Sequence, residues 1–358
     1  MERDREPTAG CLLGMAAGDA LGTPLENLSP RRGRRLFPSL DQHRFLLGRG
    51  MCSDDTEHAC MVGQALLTSG GFLEAFTRSL ARRLRWWLVG IPAGIGLATL
   101  KACLKLWVGV SPDRSGVFSA GNGPAMRSPI LGVCLGDSPD RLRAFVRAST
   151  RITHSDPKAE IGAFAAAWAA HRSAETRTGS PPTPAMFVSE LREHFKADDT
   201  AAPFLASLDK LVEYNEAGRS TEEYAAALAL GRGVTGYIYH TVPVALYAWL
   251  RYPDDFRAAV EGVIRCGGDT DTVAGITGAL VGARLGKAGI PSAWLSGIAE
   301  WPRSVSWIEG LADSLAAGQW RVSPQPAKPL AVWAIPARNL VFFVVVLAHV
   351  ARRMLPPY

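Results

Sequence analysis

Several features are missing from this sequence, and each absence narrows the reading. The six cysteines, Cys11, Cys52, Cys60, Cys103, Cys134 and Cys266, include no Cys-x-x-Cys pair, and most have apolar neighbours. They read as free thiols acting as small hydrophobes, a pattern that favours a reducing cytoplasm. Period-two alternation is nearly absent, which argues against sheet. The opening Met-Glu-Arg-Asp-Arg-Glu-Pro has no apolar stretch of the signal-peptide kind, so secretion is not expected. One run, Leu340 to Val350, raises the question of a membrane. It falls short of the ~20 residues that a bilayer span requires, contains His349 and is followed by Arg352-Arg353. A buried terminal helix is therefore expected, with contact at a membrane surface as the lesser reading. No phosphate-binding loop or serine-hydrolase elbow occurs, which leaves triphosphate hydrolysis and serine esterase chemistry unsupported.

What is present is ordinary globular material, 47% hydrophobic and 20% charged in 358 residues. The formal charge of +6 draws on Arg31-Arg32-Gly33-Arg34-Arg35 and Arg82-Arg83-Leu84-Arg85. That suits an anionic ligand, but it is not the long basic stripe of a dedicated nucleic-acid binder. Ala- and Leu-rich segments at three- and four-residue spacing recur throughout, so the fold class is all-α. Helices are expected over about 8 to 21, 57 to 69, 71 to 89 and 93 to 108, with short connections between antiparallel neighbours. Ser138-Pro139 and Asp156-Pro157 mark helix starts, and Ser220 with Glu223 has capping-box spacing. No repeat at a fixed period supports a solenoid. The expected organisation is one helical domain over 1–322, then a Pro-rich linker and an apolar helix over 323–358 packed on it.

Two acidic clusters carry the chemistry: Ser53-Asp54-Asp55-Thr56 and Gly268-Asp269-Thr270-Asp271-Thr272, each just before a helical pattern. Carboxylates and hydroxyls at this density are hard oxygen ligands suited to Mg²⁺, Mn²⁺ or Ca²⁺, whereas zinc would call for His and Cys. Either cluster alone also reads as a helix cap, since Asp, Ser and Thr are favoured there.

Six motifs in order resemble the ADP-ribosylglycohydrolases. They are Gly10 to Gly22 with Glu26, Ser53 to Thr56, Gly121 to Arg127, Thr153 to Pro157, Gly236-Tyr237 with His240-Thr241, and Gly267 to Thr272. The resemblance spans about residues 8 to 290 and implies a compact helical fold with a binuclear magnesium or manganese centre in a cleft. Carried over, Ser53, Asp54, Asp55, Asp269, Asp271 and Thr272 take the metal-ligand positions. Glu26 and Asp55 become the catalytic candidates, and Asp19 a structural residue that bonds backbone near the cleft. Gly121, Asn122, Gly123, Met126, His154, Ser155 and Tyr237 become ligand-binding candidates; Tyr239 is an alternative stacking platform, and Arg127 adds charge if it points into the cleft.

The implied activity is metal-dependent cleavage of a glycosidic bond to ADP-ribose, with arginine on a protein as the first linkage. The implied partner is an ADP-ribosylated protein or a small ADP-ribosyl compound, and the chain is taken as a monomer. Two other readings stay open: a silent ADP-ribose binder or immunity protein, and a hydrolase of another ADP-ribosyl linkage, nucleic acid included. Ser53 stands where the family usually has Thr. Gly90 to Gly96 also lacks the acid that the nitrogenase-regulating, arginine-specific member carries in that neighbourhood.

Overall fold

A computed structural model describes residues 4–354 as 18 α-helices joined by short turns and 3-10 segments. Among the described residues the only β pairings are isolated bridges, in keeping with the all-α class. The four N-terminal helices expected from periodicity lie at Glu6–Gly22, Asp54–Ser69, Leu73–Val89 and Leu97–Trp107. Asp156 caps the Pro157–Glu175 helix by accepting from Lys158 N, and Ser220 with Glu223 forms the full capping box. Ser138 precedes its helix without a side-chain cap.

The centre of the molecule is the pair Glu6–Gly22 and Thr270–Leu285. Both are buried almost all round, which marks core helices rather than amphipathic surface ones. Gly10, Gly14, Gly18 and Gly22 recur every four residues and so line one face of the first helix. A Cβ at these positions would strike, in turn, the carbonyl oxygens of Gly282, Gly278, Ala274 and Thr270. Stepping forward on one helix while stepping back on the other means the two run antiparallel, backbone against backbone. The last turn of the first helix, with Asp19, is thereby pinned beside the first turn of the second, with Asp271.

The C-terminal helix departs from expectation in its exposure. Residues after Pro324 run along the Asp54–Ser69 helix, where Lys328 exchanges two hydrogen bonds of 2.9 Å with the Gln64 side chain. The chain then forms the helix Ile335–Arg353, of which only Asn339 and Phe342 are buried. The expected buried helix is thus mostly exposed. It is also longer than the apolar run suggested, because Pro336 occupies the first turn, where its missing N–H costs nothing. Among the described residues, Val332–Arg353 is the one helical stretch long and apolar enough to cross a membrane by length and composition.

Candidate active site

Asp19 organises the site from the core outward. Its buried carboxylate accepts from Ser53 N at 2.9 Å, Thr56 N at 3.2 Å and Thr56 Oγ1 at 2.5 Å. One helix thus holds the start of another, so Ser53, Asp54 and Asp55 are fixed in space. Burial lifts the Asp19 carboxyl to about 6 against the pull of these hydrogen bonds.

The two acidic clusters meet here. Single carboxylate oxygens of Asp19, Asp55 and Asp271 lie within 4.8 Å of one another. Ser53 Oγ donates to Asp55 Oδ2 at 2.8 Å, and Thr272 Oγ1 reaches the same oxygen at 3.3 Å. Burial, then the neighbouring carboxylates, pushes Asp54, Asp55 and Asp271 well above the usual carboxylate range. Such crowding of like charge in a dry site is tolerable only with protons or cations between the groups. Asp55 Oδ1 is buried with no hydrogen-bond partner. An orphaned carboxylate oxygen amid hydroxyls and acids fits a hard divalent cation.

Around this floor opens a cleft of about 750 Å³. Of the residues singled out in the sequence, Glu26, Ser53, Asp54, Asp55, Gly121, Asn122, Gly123, Met126, His154, Asp269, Asp271 and Thr272 line it. Asn122 Nδ2 donates to Asp269 Oδ2 at 2.7 Å and to Thr241 Oγ1 at 3.0 Å, orienting that carboxylate. The backbone N–H of Asn122 is already committed to Gly236 O. That amide is therefore not free to meet a ligand. The flanking glycines answer to His154: a Cβ at Gly121 would stand 2.9 Å from its Nε2, and one at Gly123 would stand 3.2 Å from its Cε1. Burial, then the Arg127 guanidinium, drives His154 down to about 3, so the ring is neutral and Nδ1 meets Thr153 Oγ1 at 2.9 Å.

Three candidates lie elsewhere. Arg127 is fully buried and spends its donors on Ser149, Thr153 and His58, so it braces the His154 segment from behind. Ser155 is exposed and outside the cleft lining. Tyr237 packs at the edge against His240 and Tyr239, whose hydroxyl bonds Thr200 O at 3.0 Å; neither tyrosine ring lines the cleft.

Glu26 stands at the cleft edge on a loop that turns at Asn27, whose φ is +62°. Asn27 N donates to Gly268 O at 2.7 Å, tying this loop to the second acidic cluster, and its side chain donates to Glu26 Oε1 at 3.0 Å. Burial and the Asp269 charge raise the Glu26 carboxyl, while Arg353 opposes them.

One wall was not foreseen. Phe342, Val346, His349, Val350 and Arg353 of the C-terminal helix line the cleft beside Phe45. Arg353 donates to the carbonyls of Pro24 and Glu26 at 2.9 Å each, and His349 Nε2 lies 2.8 Å from Phe45 O. The spacing of Arg338, Phe342, Val345, His349 and Arg353 is that of one helical stripe. This was the available signal, and the surrounding valines masked it.

A helical scaffold whose two acidic helix starts close on a cleft is suited to hold a metal ion there. The chain belongs to the ADP-ribosylglycohydrolase family, whose profile matches residues 2–324. It is 32% identical to an uncharacterised protein of Archaeoglobus fulgidus, over 87% of this chain and 96% of that one. It is 28% identical to the ADP-ribosylhydrolase ARH3 of Gallus gallus, over 82% and 90% of the respective chains. A solved structure described as an ADP-ribosylglycohydrolase-related protein complex superposes with a TM-score of 0.65 at 26% identity, covering 88% of this chain and 99% of its own. The C-terminal helix lies beyond the matched family region.

Proposed function

We propose that the protein hydrolyses the glycosidic bond of an ADP-ribosylated substrate and releases ADP-ribose, with two Mg²⁺ or Mn²⁺ ions held by Ser53, Asp54, Asp55, Asp269, Asp271 and Thr272. The observation that carries this reading is the orphaned Asp55 Oδ1 within a cluster of carboxylates from two distant helix starts. When bound, such ions supply positive charge that offsets the carboxylates and orients ribose hydroxyls.

The chain's own groups do the rest. Asn122 keeps Asp269 aimed into the cleft, and Asp19 keeps Asp55 in place through the helix start it caps. Glycosidic cleavage develops positive charge at the anomeric carbon, and the acid-rich floor is suited to stabilise it. Glu26, at the cleft edge with its carboxyl raised by burial and by Asp269, is the group placed to exchange a proton with water or leaving group. Neutral His154 presents its Nε2 side to the cleft as a hydrogen-bonding partner for the ligand rather than as a cation.

Arginine on a protein remains the first linkage to test. The loop Ile91–Gly96 supplies Ala93, Gly94 and Gly96 to the lining and no acid to meet a guanidinium. A hydroxyl-linked ADP-ribose is therefore the second. The experiment follows free ADP-ribose from both substrates with Mg²⁺ or Mn²⁺, with chelator, and with Asp55→Ala/Asp271→Ala. Metal- and aspartate-dependent release is expected from one of them. ADP-ribose binding by calorimetry without release from either would make the protein a silent binder.

A further inference from the structure

The helix Ile335–Arg353 is built inside out for a water-exposed helix. Four of its polar side chains face the protein: Arg338 pairs with Glu300 at 2.7 Å, Asn339 donates to Gly90 O at 2.7 Å, and His349 and Arg353 make the contacts given above, while Arg352 is exposed at the end. Its outward positions are apolar. Leu340 is 64% exposed, Val344 56% and Leu347 50%, and Val341, Phe343 and Ala348 beside them are also exposed. A contiguous apolar face of this kind is rare on a protein surrounded by water on all sides.

What flanks the face indicates what covers it. At the far end Arg32 donates to the carbonyl of Arg353, placing the helix Pro30–Leu36 with Arg31, Arg32, Arg34 and Arg35 beside Arg352 and Arg353; Arg34 also meets Glu222. At the near end a hollow of about 620 Å³ is lined by Trp86, Arg82, Arg83, Val332 and Ile335. Arg83 Nε is buried there without a hydrogen-bond partner. Exposed Trp333 packs on exposed Trp301 close by. No acid occurs from Val332 to Met354. Two copies packed face to face would therefore set arginines against arginines in either orientation.

We propose that this face lies on an anionic lipid surface, with its leucines, valines and phenylalanine in the acyl boundary and the arginines at both ends among the headgroups. Apolar area bordered by arginine and tryptophan is the composition of an interfacial helix. The inward polar contacts pin the helix to the domain, so it lies along the membrane rather than across it. The inner side of the same helix is a wall of the cleft, which places the cleft beside the lipid. The proposal does not rest on the hydrolase reading.

The test is flotation of the full chain with vesicles of phosphatidylglycerol and phosphatidylcholine, beside vesicles of phosphatidylcholine alone. Three outward residues outside the cleft lining are changed together, Leu340→Gln/Val344→Gln/Leu347→Gln. Circular dichroism and melting temperature report whether the fold is kept. Wild type is expected to float with the anionic vesicles, to do so less as salt rises, and to lose at least about tenfold in partitioning in the triple variant. A second variant, Arg31→Gln/Arg35→Gln, should reduce the preference for anionic vesicles while keeping the helix. The proposal is overturned if wild type does not float, or if the folded triple variant floats equally well. It is also overturned if sedimentation velocity without lipid shows a dimer that the triple variant dissolves while vesicles bind neither form; the face would then belong to a second copy.

Discussion

The central helix pair and the C-terminal helix solve opposite problems. Glu6–Gly22 and Thr270–Leu285 discard side chains along their contact, so two backbones touch and two carboxylates are brought together at one end. Ile335–Arg353 keeps most of its large apolar side chains on the outside and joins the domain through arginine, asparagine and histidine, with Phe342 packed on Phe45. The first arrangement tolerates almost no change, because nothing can move aside. The second is held at separate points and should be removable in parts. Rigid backing where the acids sit, and a cleft wall held at separate points, is the division of labour this contrast implies.

The largest effect expected on this comparison comes from Gly14→Val. The added carbons meet the Gly278 carbonyl directly, and the helices must separate, at a cost of about 3 kcal/mol or more. Denaturant unfolding or soluble yield will show it; a melting temperature within a degree or so of wild type would refute the backbone-contact account.

Asp271→Asn and Asp55→Asn should each lower turnover by roughly a thousandfold while the fold survives, since they remove charge from the floor and not volume from the core. Glu26→Gln follows with a loss of about a hundredfold, seen in kcat more than KM, and with one limb of the pH–rate profile removed.

A smaller and more diagnostic effect concerns pH. Asp19 has its carboxyl raised from 3.8 to about 6 in the folded protein without cations. Its contribution to stability is therefore complete below about 3.8 and lost as pH rises through about 6, the reverse of the usual salt-bridged aspartate. Asp55 and Asp271 are shifted the same way. Cations that displace those protons should restore the loss. The rise in melting temperature on adding Mg²⁺ should thus be larger at about pH 7 than at about pH 5. An equal rise at both would disconnect the cluster from cation binding. The smallest change expected is from Asn122→Ala, about tenfold in turnover, because Asp269 loses one orienting donor and keeps its place on the chain.

Much of this was legible in the sequence, and for identifiable reasons. Helical periodicity, Pro at first turns and the Ser220–Glu223 box are local signals, and they gave the class and several starts. The acidic clusters were visible because each places several carboxylate and hydroxyl oxygens, the hard ligands that divalent cations favour, within a few residues. The site residues that did not reach the cleft, Ser155 and Tyr237, belong to motifs whose neighbours do, His154 and Gly236. A motif locates a segment, but the turn decides which side chain faces inward. Arg127 was ambiguous for a different reason, since a guanidinium can be satisfied by Ser149, Thr153 and His58 in the core as readily as by a phosphate at the surface. The C-terminal wall was missed because a run of valines and phenylalanines was read as a burial signal, whereas its sparse polar residues at helical spacing were the part that faced the protein.

The account stands most directly on a cation titration of ADP-ribose release, comparing wild type with Asp271→Asn. It predicts no release with chelator, release that saturates with Mg²⁺ or Mn²⁺, and a variant that stays folded but is nearly inactive at every cation concentration. Release that persists in chelator, or a fully active variant, would contradict the claim that the paired acidic helix starts are the hydrolytic centre.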